Sequence, residues 1–392
     1  TYKAADPNWK MQKLQVGDVV YRDYDGYVVQ EGAFGQVEGS FLEKALTAFA
    51  SGSLSNTTYW RYDRFYYDSE HARSKTLNFL GYTIKGGLNY NFASYHNVFV
   101  NTGYISRAPY FSGGAFLQST TSNEINKNAI NENIFSLELG YGFHHRYLKA
   151  TINGYFTRWM NKTMTRANEY SYTDPSGDIV NERAIINMSG VNARHMGVEV
   201  ELRSNLTNWL ELSAMLSLGD WQWDSNPIGY YYNSLGQPLA DLKGTVADAI
   251  GSGNHAWSQL NLKGIKVGGS AQTTYDFGVT LRPVKELRLG LNLNGMSRLF
   301  ADYTISSSNL IVNKPYDFVQ PWQVPGAALV DFNASYRFKF AGTTAVISGT
   351  CQNLLDQVYI ADATNGNDGT WQTARVFYGF GRTWTTKLKI NF

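Results

Sequence analysis

Six histidines, one cysteine and a scatter of carboxylates are the residues that could carry chemistry in this 392-residue chain. His71, His96, His144, His145, His195 and His255 are widely spread, and the adjacent His144 and His145 would point to opposite sides of a strand, which is poor geometry for chelation. Cys351 stands alone, which excludes an internal disulfide and any cysteine-rich zinc site. No zincin, nucleophile-elbow, phosphate-loop or dinucleotide fingerprint occurs, and no Ser-His-carboxylate set can be assembled from the spacing. Residues 362–369, DATNGNDG, have the composition of a calcium loop but lack EF-hand spacing and its distal glutamate. They read better as a Gly/Asn-rich turn. The chain is therefore read as a non-enzyme with no catalytic residue, no metal site and no cofactor.

Recognition chemistry remains. Trp223, Tyr230, Tyr231, Tyr232 and Trp257 cluster in 222–272, while Tyr110, Phe111 and Phe116 fall in 108–132. Rings of this kind stack on sugars or pack against peptide side chains; they also pack on one another or form an interfacial girdle, the reading given to Trp221 and Trp384 near strand ends. A second set, Glu199, Glu201, Arg203, Arg288, Asp331, Arg337 and Lys339, alternates with apolar neighbours. These residues would line an aqueous interior, either as a pathway or as a salt-bridged wall.

The elements that must hold these residues are strands. Charged residues are 17% of the chain, against roughly 25% in average soluble proteins. Aromatics reach 15%, yet mean hydropathy is −0.33. The net charge of +2 excludes a polycation built for nucleic acid. No apolar run is long enough for a membrane helix. Many aromatics, few charges and a polar mean fit a transmembrane β-barrel, whose strands mix lipid-facing and lumen-facing residues. Phe135, Leu137, Leu139, Tyr141 and Phe143 alternate with Ser136, Glu138, Gly140, Gly142 and His144. Phe332, Ala334, Tyr336 and Phe338 alternate with Asn333, Ser335 and Arg337 in the same way, the first set expected to face lipid and the second the lumen. About thirteen strands are expected, near 27–41, 44–64, 76–92, 96–107, 133–144, 148–161, 192–205, 209–221, 273–282, 286–300, 328–340, 343–356 and 377–392. Their joints alternate short and long, which places the long loops 65–75, 108–132, 162–191, 222–272, 301–327 and 357–376 on one rim. That rim is the extracellular one in outer-membrane barrels.

The stretch CQNLLDQVY at 351–359, followed after a loop by GRTWTTKLKINF ending at Phe392, resembles the end of TonB-dependent outer-membrane receptors. GYISRAPYF at 103–111 and NARHMGVEVEL at 192–202 are similar to the Bacteroidetes branch with SusC/RagA-type members. The resemblance implies a 22-stranded barrel with an N-terminal plug and a box gripped by TonB. Residues 1–26 do not read as a plug. With an odd strand number and a last strand ending in the periplasm, residues 1–26 would be an extracellular loop segment. Residues 27–392 would be the C-terminal part of the barrel. The implied function is energised import of a nutrient, whether glycan, oligopeptide or metal chelate. Its implied partners are an N-terminal remainder bearing the plug and first strands, the TonB complex, outer-membrane lipid and a surface lipoprotein lid, with no nucleic acid. A passive porin or long-chain substrate channel, and an adhesin or structural barrel, are the alternatives; a plug and TonB box would favour import over both.

Overall fold

Period-two alternation over ten residues or more leaves each strand with two unlike faces, and such strands satisfy their backbone groups only by pairing side by side. The computed structural model describes residues 13, 15–19, 22–117, 123–248, 253–303, 305, 309–340, 342–366 and 368–391. Its elements are β1 (Tyr24–Phe41), β2 (Leu46–Asp63), β3 (Leu77–Ala93), β4 (His96–Arg107), β5 (Glu132–His144), β6 (Leu148–Thr173), β7 (Ile179–Asn205), β8 (Leu210–Trp223), β9 (Ile228–Tyr232), β10 (Trp257–Asn261), β11 (Ala271–Val284), β12 (Leu287–Phe300), β13 (Lys314–Asp317), β14 (Gln323–Val324), β15 (Ala327–Phe340), β16 (Thr343–Gln352), β17 (Ile360–Thr364), β18 (Arg375–Tyr378) and β19 (Thr383–Asn391). No α-helix occurs among the described residues.

The long strands form one antiparallel wall in chain order. β1 to β8 pair in succession, then β8 with β11, β11 with β12, β12 with β15, β15 with β16 and β16 with β19. Directly paired residues share a face. One face is apolar across the whole wall: Leu88 pairs with Val100, Val100 with Leu139, Ile152 with Val200, Leu212 with Val279, Val279 with Leu291, Leu291 with Phe332, and Ile347 with Tyr336 and Leu388. The opposite face pairs Asn101 with Glu138, Asn153 with Glu199, Asn292 with Asp331 and Ser348 with Lys387. Phe332, Ala334, Tyr336 and Phe338 lie on the first face, and Asn333, Ser335 and Arg337 on the second. A register slip of one residue would exchange the faces.

At one rim the strands turn back tightly, with Leu42, Glu43 and Lys44 all at positive φ between β1 and β2. At the other rim the connections are long, and part of what periodicity alone assigns to loops is strand. The expected loop 162–191 is a hairpin made by the outer halves of β6 and β7, which rises past bulges at Trp159/Lys162 and Lys162/Met164. Its inner run Ala184, Ile185, Ile186 and Met188 is buried and carries no alternation. Within the expected loop 222–272, β9 pairs with β7 and β10, and β10 runs parallel to β13. The main hydrophobic core sits here, above the wall, around Ile186, Met188, Tyr231, Leu239, Leu260 and Leu262.

The C-terminal boundaries also move. β16 ends at Gln352 rather than 356, because Asn353 and Asp356 take positive φ (49° and 55°). The expected strand 377–392 is β19 alone. Arg375–Tyr378 pairs instead with Ile360–Thr364 in a separate hairpin, whose Ala363 packs on Leu299, Ala301 and Val324. β1 begins at Tyr24. Residues 1–12 and Phe392 lie outside the described residues.

The two ends of the wall differ from its middle. Every residue of β19 is exposed, and residues 26–38 of β1 are exposed whichever face they belong to. Among the described residues no pairing joins β1 to β19.

Candidate functional site

At the long-loop rim the polar face ends in a cup. β4 and β5 bring Arg107 opposite Glu132, while β6, β7 and β8 bring Trp159, Ala193 and Trp223 into one row. Two neighbouring strand spacings separate the backbones of the two tryptophans by roughly 10 Å, with only the small Ala193 side chain between them. Lys162, His195, Tyr110 and Val267 complete the lining of a cavity of about 440 Å³.

The electrostatics of the cup are mixed. The Arg107 guanidinium donates to Glu132 Oε2 from Nη2 at 2.7 Å and from Nε at 3.1 Å. The same guanidinium lies 5.6 Å from the Tyr110 ring and 5.8 Å from the Trp159 ring, within cation–π range. Glu132 is 3% exposed, and its Oε1 has no hydrogen-bond partner among the described residues. The His195 Nδ1 is in the same position, and its ring lies 5.4 Å from that of Trp221. Buried polar atoms without partners are rare in folded proteins, so this pair marks a place where polar groups of a ligand would be accommodated. Indole faces together with cationic, anionic and imidazole groups recognise a polar solute with an apolar face.

The aromatic residues read from the sequence divide. Tyr110, 57% exposed, and Trp223 line the cup. Tyr230 is exposed and pairs with Trp257 across β9 and β10, on the loop surface away from the cup lining. Tyr231 and Tyr232 are buried: the Tyr231 hydroxyl lies 2.7 Å from Ser258 Oγ, and the Tyr232 hydroxyl accepts from Asn128 Nδ2 at 3.3 Å. Phe111 packs edge-on to Tyr59 at 5.4 Å and against Phe116 at 4.9 Å. These three rings hold the loops together rather than present themselves.

The polar-face residues divide as well. Glu199 accepts from Asn153 and Ser217, and the same Asn153 donates to Glu138 at 3.0 Å. Asp331 accepts from Asn294 at 2.9 Å and from the Asn353 backbone at 2.8 Å. Among the described residues, Glu199 and Asp331 are thus held by amide and hydroxyl groups, without a salt bridge. Glu201 shares this face across from Thr151 and Met215. Arg203 joins Arg146, Lys149, Glu211 and Arg282 in a basic cleft at the short-turn rim, where Arg282 pairs with Glu211 at 3.1 Å. Arg288 and Arg337 sit on the same face at that end, across from Ser335 and Val346. Sequence reasoning missed Arg107, Glu132, Trp159, Lys162 and His195 as site residues. The available signal was parity: Trp159, His195 and Trp223 fall on the polar side near the outer ends of their strands.

The family described as TonB dependent receptor-like, beta-barrel, matches residues 2–354 of the chain. No curated protein matches it in sequence. Among solved structures, the copper transporter OprC is 15% identical with a TM-score of 0.60, covering 94% of this chain and 48% of that one. The ferric citrate transporter FecA is 13% identical with a TM-score of 0.60, covering 96% and 47%. The ferric yersiniabactin uptake receptor FyuA from Yersinia pestis is 12% identical with a TM-score of 0.57, covering 95% and 47%. At these identities the likeness is one of fold, and the chain spans about half the length of the solved structures it matches.

Proposed function

The chain belongs to the TonB-dependent receptor-like β-barrel family, and on that premise we propose that it forms the C-terminal part of the wall of an outer-membrane importer. In this reading residues 27–392 are barrel and residues 1–26 an extracellular segment. The apolar face meets lipid and the polar face lines the lumen. The first strands, the plug and the TonB contact belong to a remainder on the same or another polypeptide, and the cargo enters by way of the cup at the long-loop rim. The observation that carries the reading is the cup itself, where Trp159, Trp223, Arg107, Glu132 and His195 converge at the mouth of a polar wall. Its two indoles suit a cargo that offers a flat apolar face, as a sugar ring or a peptide side chain does. The SusC/RagA-like segments support the same cargo class, and with it a surface lipoprotein lid over the exposed Tyr110 and Tyr230.

The test is uptake of a panel of labelled oligosaccharides and oligopeptides by cells carrying the receptor, with and without a functional TonB system. Uptake that depends on TonB and falls roughly tenfold in a Trp159→Ala, Trp223→Ala double variant is expected, about 0.5–1.5 kcal/mol per stacked ring. Uptake independent of TonB would favour a passive channel. TonB-dependent uptake indifferent to both indoles would remove the cup from the path.

A further inference from the structure

The apolar face carries a charged row at its long-loop edge that import through the lumen leaves unused. Arg158 lies directly across from Arg194, Arg194 across from Gln222, and Gln222 is bridged to Lys266. Partners across a ladder share a face, so the three cations point the same way, outward. Arg298 reaches the same spot, its Nη2 4.0 Å from Asp220 Oδ1. Among the described residues two carboxylates pair with them: Asp224, 3.0 Å from Arg158, and Asp220, which takes the Lys266 ammonium and Gln222 Nε2. Four cations against two anions leave the patch positive.

Immediately nearer mid-wall on the same face the rows turn apolar. Leu137, Phe156 and Met196 stand in one row, and Leu139, Gly154, Val198 and Leu218 in the next. Gly154 leaves a gap: a Cβ there would meet nothing nearer than the Gly197 carbonyl oxygen at 3.8 Å. The result is an open groove of about 540 Å³ lined by these side chains and capped by Asp220 and Arg298. Membrane proteins ordinarily place Trp and Tyr at this level. Here the indoles of Trp159, Trp221 and Trp223 occupy the opposite face, and guanidinium and ammonium groups take the outward positions.

We propose that the outward surface of β6–β8 at the long-loop rim binds a phosphate-bearing lipid of the surrounding membrane. Its headgroup phosphates would be held by Arg158, Arg194, Lys266 and Arg298, and an acyl chain would lie over Gly154. Guanidinium groups match phosphate oxygens in a bidentate fork, and a basic patch beside an apolar surface satisfies both halves of such an amphiphile. The inference rests on the reading of the apolar face as lipid-facing.

The experiment reconstitutes the full receptor into phosphatidylcholine nanodiscs doped with either a diphosphorylated acylated glycolipid or its dephosphorylated form, and reads retained lipid by native mass spectrometry. The unaltered receptor is expected to retain the phosphorylated form roughly tenfold or more over the other. An Arg158→Gln, Arg194→Gln double variant should lose that preference. Gly154→Leu fills the groove without touching a charge. It should weaken retention of the acylated lipid while leaving binding of inorganic pyrophosphate unchanged. Equal retention of the two lipids by the unaltered receptor, a comparison that needs no variant, would overturn the proposal. So would pyrophosphate displacing the lipid equally well with and without Gly154→Leu, which would mark an anion site only. Failure to enter the nanodiscs at all would overturn the lipid-facing reading, and the proposal with it.

Discussion

His255 sits where a proton is poorly tolerated. Its ring is 4% exposed and packs against Tyr230 and Tyr232 at 4.9 and 5.1 Å. Nε2 lies 2.8 Å from the Tyr231 carbonyl, which fixes the hydrogen on that nitrogen. Burial pushes its pKa below the ordinary 6.5, and the bond to Tyr231 offsets this only in part. The folded loop region therefore prefers the neutral ring, while the opened region takes up a proton as pH falls below that ordinary value. Its stability is full above the ordinary value and declines as pH drops towards the lowered folded value. Hydrogen exchange in β9 and β10 should accelerate on acidification, and His255→Gln should flatten the dependence; a pH-independent exchange rate in the unaltered protein would contradict this assignment. The same neighbourhood shows what a sequence conceals about single residues. Three consecutive tyrosines, Tyr230 to Tyr232, read alike as binding rings, yet only Tyr230 is exposed, since β9 is buried on one face by β7 and its neighbours and Tyr232 turns into the loops. Trp159 shows the converse. Inside a strand it reads as wall, and only the register across β6, β7 and β8 sets it opposite Trp223.

At the scale of elements, the Asn-Leu-Leu-Asp stretch at 353–356 acquires a physical reason. Asn353 is buried, its Nδ2 donates to the Gln357 carbonyl at 2.9 Å, and its Oδ1 accepts from the Gln357 N–H at 2.9 Å. Its own N–H is held by Asp331 on β15, and Asp356 Oδ1 accepts from the Arg382 N–H at 2.8 Å, next to the start of β19. The turn thus ties the ends of three strands. Asn353→Ala leaves the Gln357 carbonyl and N–H without the Asn353 side chain and should cost about 1–3 kcal/mol. The expected readout is slower appearance of the heat-resistant folded form on gels; wild-type assembly kinetics would show the turn to be dispensable. The faces of β15 give a second test. Phe332→Arg places a charge on the lipid side and should cost about 2–4 kcal/mol near mid-membrane, whereas Asn333→Arg joins the polar face and should assemble well. Equal assembly would mean the register is wrong. The wall strands were legible because one apolar face and one polar face impose period two. The 162–191 hairpin was not, because residues such as Ala184, Ile186 and Met188 bury into the loop core, where alternation disappears.

For the whole molecule, the decisive features are the two edges. Among the described residues, thirteen long strands, each antiparallel to the next, leave β1 and β19 pointing the same way. Joining them directly would require a parallel seam, whereas bacterial single-chain barrels close antiparallel with an even strand number. Unpaired backbone groups in hydrocarbon cost several kcal/mol each, so an open wall of this length is not a membrane structure by itself. We propose that both edges pair with strands beyond those described, which fits a chain that spans about half of its structural neighbours. The most direct measurement is a structure of the intact receptor in a lipid bilayer, read at Tyr24–Phe41 and Thr383–Asn391. Each is expected to be flanked by an antiparallel strand from outside residues 24–391, with a plug domain inside the ring and the cup of Trp159 and Trp223 open above it. Direct pairing of Tyr24–Phe41 with Thr383–Asn391 in a closed, empty ring would contradict it and make a small passive channel the better description.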